Sequence, residues 1–110
     1  MTADELYTAE DDALHAMTAA VLDYDGTGYD GIEAAYQTMR KYVEACPAND
    51  YRAAALSMLA LVKMRAKAHI DTDIRPDVVL SARVYPDAYI TIVRDGLRDV
   101  RMLAVASLYG

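Results

Sequence analysis

A chain of 110 residues, 55% hydrophobic and 25% charged, with three prolines and five glycines, suits one domain with one core and excludes a disordered, collagen-like or low-complexity protein. One cysteine excludes an intramolecular disulfide, no apolar run reaches the roughly 20 residues of a membrane span, and the first residues lack the basic start and apolar stretch of a signal peptide. The net charge of −6 is uneven, −9 over residues 1–50 and +3 over residues 51–110, and an acidic balance disfavours direct binding to nucleic-acid phosphates.

These limits predict a cytoplasmic, soluble, single helical domain over 1–110, with residues 1–7 as a flexible lead. The first helix is expected to open near Thr8, with Asp11 three residues on and Glu10, Asp11 and Asp12 at the positive end of the dipole. Leu14, Met17, Ala20, Val21 and Tyr24 form its apolar stripe. The run stops at Asp25-Gly26-Thr27-Gly28, where two glycines favour a turn.

Asp30, with Glu33 three residues later, reads as the capping start of a second helix. Ile32, Ala35, Tyr36, Met39, Val43 and Cys46 line one face of it before Pro47 ends it. A third helix is expected from about Asp50 to His69. Its stretch from Ala53 to Val62 is apolar around nearly the whole circumference, which places it at the centre of a bundle. Lys63, Arg65 and Lys67 crowd its last turns, where positive charge suits the dipole and the helix would emerge into solvent.

The last third supports two readings. By residue type, Val78, Val79, Val84, Tyr85 and Tyr89 to Val93 favour strands, with Tyr85-Pro86-Asp87-Ala88 and Asp95-Gly96 as hairpin turns. By periodicity, Tyr89, Ile92, Val93, Leu97, Val100, Leu103, Ala104 and Leu108 share one half of a helix, and Asp87, Thr91, Arg94, Asp95, Arg98, Asp99 and Arg101 share the other. Helix is favoured. The predicted fold is therefore an all-α compact bundle of four or five antiparallel helices, and the alternative is α+β, three helices followed by a small β-meander.

Asp23-Tyr24-Asp25-Gly26-Thr27-Gly28 resembles the first half of an EF-hand calcium loop. Asp23, Asp25, Thr27 and Gly28 match the first, third, fifth and sixth positions, and the carbonyl of Tyr29 the seventh, while Ala34 replaces the bidentate glutamate of the twelfth. The resemblance implies calcium at Asp23, Asp25, Thr27 and Tyr29, beside the plainer reading of an acidic interhelical turn. Residues 28–36 and 47–57 also resemble tetratricopeptide-type hairpins, with Ala35, Met39 and Pro47 at the small, bulky and proline positions and Tyr42 where a small residue is usual. That resemblance implies antiparallel helix packing.

Catalytic material is sparse. His15 and His69 are the two histidines, Cys46 lies on an apolar helix face, Ser57 has no flanking glycines, and His69, Asp71 and Asp73 form a weak ligand series. No catalytic residue or cofactor is expected beyond the calcium alternative. The expectation is a small acidic interaction module, an adaptor, inhibitor or subunit, acting on another protein or as a homodimer. Nine tyrosines without phenylalanine or tryptophan support it, because tyrosine combines a large ring with a polar tip and is enriched at contact surfaces. Tyr7, Tyr29, Tyr51, Met102, Val105 and Tyr109 are the expected partner-binding residues. The further alternative is a nucleic-acid mimic built from Asp4, Glu5, Glu10, Asp11, Asp12, Asp23, Asp25 and Asp30.

Overall fold

The computed structural model describes residues 1–22, 28–69 and 87–110, and over these the chain is all-α. Its helices are α1 (Ala3–Leu22), α2 (Gly28–Glu44), α3 (Asp50–His69) and α4 (Asp87–Tyr109). Each packs against two neighbours, in the order α1, α2, α3, α4 and back to α1. Neighbours run antiparallel, as the pairing of Gly31 with Ala20, Lys67 with Glu33, Gly96 with Val62 and Arg101 with Glu10 shows. The bundle is 43 Å long and 21 Å across.

α1 begins at Ala3, well before the expected start near Thr8, and takes in the residues expected as a flexible lead. The cap is Thr2. Its hydroxyl accepts the Glu5 N–H at 3.2 Å and donates to the Glu5 carboxylate at 3.1 Å, and its carbonyl takes the Leu6 N–H. The sequence is that of a Thr-x-x-Glu box, with the carboxylate taking the hydroxyl proton instead of the cap's backbone N–H. The core line differs from the expected stripe as well, running through Leu6, Ala9, Ala13 and Met17 and leaving Leu14 and Ala20 only partly buried.

α2 buries all six residues of its expected face, from Ile32 to Cys46. Its start differs, because the helix already runs from Gly28 and both Glu33 oxygens turn to Gln37 and Lys67 rather than back to a cap at Asp30.

α3 has the expected bounds but a different place. It is one corner of the bundle, in contact with α2 and α4, and not its centre. Ala55, Leu59, Val62 and Ala66 face inward, Met58 is half-buried, and Ala53, Ala54, Ser57, Ala60 and Met64 are exposed. Alanine explains the error, since it is apolar in a pattern yet favourable in an open helix because it loses no side-chain entropy there.

α4 settles the described part of the last third as helix. Tyr89, Val93, Leu97, Val100 and Ala104 are buried, and Asp95-Gly96, expected as a possible turn, lies inside the helix. Burying a large apolar side chain is worth about 1.5–3 kcal/mol, several times the strand preference of a branched residue. Residues 76–86 lie outside the described residues, and of the other proposed hairpin turn Asp87 and Ala88 are the first residues of α4.

Gly96 is a point of close approach between α4 and α3. A Cβ there would meet Val62 Cγ2 at 2.4 Å, and a β-branched side chain has little rotamer freedom with which to yield. Two turns earlier on the same core-facing line of α4, the Tyr89 hydroxyl donates to the Met17 carbonyl at 2.7 Å inside the core, and burial pushes its ionisation well above the ordinary range.

Truncating Leu59 to alanine is expected to cost about 2–5 kcal/mol through lost packing and a residual cavity, measured by chemical denaturation. Gly96→Ala is expected to destabilise the fold, although the same change in an open helix gains about 1 kcal/mol. Combined with Val62→Ala it should cost less than the two single changes added together, since the second change removes the clashing methyl.

Candidate protein-interaction surface

The α2–α3 turn anchors the face that α3 presents. Asn49 accepts the Arg52 N–H at 3.1 Å through its side chain and the Ala53 N–H through its carbonyl, so it is the cap of α3. Its amide also donates to the Ser107 carbonyl of α4 at 3.0 Å. From the first turn of α3, the Arg52 guanidinium donates to the carbonyls of Glu44 and Cys46, which end α2. One turn of chain thereby ties three helix ends together.

Between α3 and α4 lies an open groove of about 430 Å³, lined by Met58, Asp99, Met102, Leu103 and Ala106. Its surface is almost entirely apolar. Met102 is 53% exposed, and Tyr51 lies farther along, its ring against the C-terminal residue, where a Cβ on Gly110 would meet it at 2.8 Å. Beyond the groove, the outward side of α3 carries Ala53, Ala54, Ser57, Ala60 and Met64, the last 61% exposed. Exposed apolar residues that adjoin one another mark contact surfaces far better than single ones do.

The expected partner-binding residues divide accordingly. Tyr51, Met102 and Tyr109 lie on the α3–α4 side or its end, and Tyr109 is 82% exposed. Tyr7 is exposed but occupied on the opposite side of α4, where the Arg101 guanidinium covers its ring at 4.4 Å and donates to its hydroxyl at 3.3 Å. Val105 is half-buried against the core. Tyr29 lies in the first turn of α2, and its side chain is outside the described residues.

Asp23, Asp25 and Thr27, the other calcium candidates, also lie outside the described residues, as do Asp71 and Asp73. α2 starts at Gly28, the sixth position of the calcium-loop resemblance. Among the described residues, no group of three or more His, Cys, Asp or Glu is placed to hold a metal ion. His15 is exposed, and His69 packs edge-on against the Tyr89 ring at 5.9 Å. Cys46 is buried, with its thiol directed to the Tyr42 carbonyl at 3.5 Å. No helix of the described chain is long and apolar enough to cross a membrane.

Of the charges expected to be solvated at the end of α3, Lys63 and Lys67 are engaged and Arg65 is exposed. Lys67 and Lys63 reach Glu33 of α2 at 3.0 and 3.5 Å, and Lys63 also lies over the Tyr36 ring at 3.9 Å. Hydrogen bonds from Gln37 and then Lys67, with the positive charges of both lysines, hold the Glu33 carboxyl at about 2, well below the ordinary carboxylate range. On the other side of the bundle, Glu10 and Arg101 form a largely buried pair at 3.0 Å between α1 and α4. The remaining acids of α1, Asp4, Glu5, Asp11 and Asp12, are exposed, and that helix carries no lysine or arginine.

No protein-family model, curated protein or solved structure matches the chain, so function rests on the chemistry of its own residues. Arg52, Asn49 and Gly96 escaped the sequence reading because their partners are distant carbonyls and a distant methyl. The outward face of α3 was visible, as apolar circumference, but was assigned to a core.

Glu33 binds its proton more weakly when folded than the ordinary value of 4.5, so its contribution to stability is present above about pH 4.5 and is lost as pH falls towards 2. Melting temperatures between pH 7 and pH 2 should therefore fall for the native chain. Glu33→Gln should start lower at neutral pH and lose less over that acid window.

Proposed function

We infer that this protein is a small non-catalytic interaction module, an adaptor, inhibitor or subunit of a larger assembly, that binds another protein through the outer side of α3 and α4. The observation carrying this reading is the apolar band formed by the α3–α4 groove and the adjoining exposed residues of α3. A soluble monomer gains nothing from leaving such residues together in water, whereas covering them contributes roughly 25 cal/mol for each Å² removed from solvent. Met58, Met64, Met102 and Tyr51 within or beside the band are of residue types enriched at interfaces.

Capture from the native host with the whole chain as bait, followed by mass spectrometry, tests this function against Met102→Lys. Met102 is more than half exposed, so the substitution should leave the helical circular dichroism unchanged. The expected result is a partner recovered by the native chain and lost with the variant. A chain that recovers no partner, remains monomeric in light scattering and accelerates a reaction in an activity screen would be an enzyme instead.

A further inference from the structure

We propose that a second copy of this chain occupies the outward face of α3, pairing α3 with α3 antiparallel across a two-fold axis near Ser57 and Met58. The inference rests on the interaction-module reading above and assigns its partner. Asp50, Ala54, Ser57, Leu61 and Arg65 follow one another at steps of three and four, the spacing of a helix seam that packs along a second helix. None of them is fully buried within the bundle, although α3 is the helix whose apolar residues encircle it. The centre of the seam is small or flexible, which permits close approach of two helices.

The ends of the seam decide the occupant. Inverting α3 about the midpoint between residues 57 and 58 brings Ala54 opposite Leu61 of the other copy. The same operation sets Asp50 opposite Arg65. Both are exposed, and among the described residues neither has an ion-pair partner, whereas Lys63 and Lys67 on the neighbouring side are taken by Glu33. A two-fold interface must be self-complementary, because each patch meets its own copy. Here the opposite charges fall at matching distances on either side of one point. A parallel arrangement would instead place Asp50 beside Asp50 and Arg65 beside Arg65. Antiparallel helices also align their dipoles favourably.

Sedimentation equilibrium of the full chain from micromolar to millimolar concentration tests the pairing. The mass is expected to rise from 12.1 kDa to twice that value. Ala54→Arg, at an exposed helical position, should weaken the dimer by about thirtyfold or more, the effect of losing a central contact residue, with the helical spectrum unchanged. Asp50→Lys and Arg65→Asp should each weaken it, and the double exchange should restore it, which a merely structural role of either residue would not produce. The register is read by oxidising the Ala54→Cys/Leu61→Cys chain, expected to give a covalent dimer that neither single change gives. A monomer at every concentration overturns the pairing, and so does a dimer indifferent to Ala54→Arg. Either result leaves the interaction-module reading to its own capture and activity experiment.

Discussion

The bundle depends on how closely α3 and α4 approach at Gly96. With no side chain there, Val62 lies against the α4 backbone, and a methyl group would meet it at 2.4 Å. This contact sets the spacing of the helix pair with the largest shared surface. It therefore sets the width of the groove between Met58 and Met102 and brings Tyr51 against the end of α4. A packed core does not deform smoothly to take in an extra carbon, so the outer surface is bound to this inner contact.

Around that contact, the polar groups act as a system of registers. Arg52 and Asn49 join three helix ends at one end of the bundle, and the Tyr89 hydroxyl joins α4 to α1 towards the other. Glu33 with two lysines links α2 to α3, and Glu10 with Arg101 links α1 to α4. The exposed pairs contribute little energy singly. Their geometry is what matters, since each is satisfied at one longitudinal offset of its two helices and a slip would leave charges or carbonyls without their partners.

α3 carries two apolar faces with different consequences. The inner one is consumed by the bundle, through Ala55, Leu59, Val62 and Ala66. The outer one is left to solvent, and in the proposed function that surplus is the surface for association. Charge is divided in a corresponding way. α1, on the far diagonal of the bundle, is acidic without a single base, while the basic residues of α3 are largely drawn towards α2. The exposed outer face of α3 is consequently free of charge between Asp50 and Arg65.

The sequence by itself determined the helical class, the core face of α2 and the inward half of α4, because three- and four-residue spacing of large apolar side chains is a local property that survives without knowledge of neighbours. It also contained the Thr2-x-x-Glu5 cap, which competed with the similar arrangement at Thr8 and Asp11 and was distinguishable only once Leu6 was seen to be buried. Tertiary structure alone decided that α3 stands at a corner, since an alanine-rich helix matches a buried and an exposed position equally well. It alone revealed why position 96 is glycine, and which carbonyls Arg52 and Asn49 reach. Those choices depend on residues up to 58 positions apart meeting in space, and separation along the chain carries no local periodic signal of such a meeting.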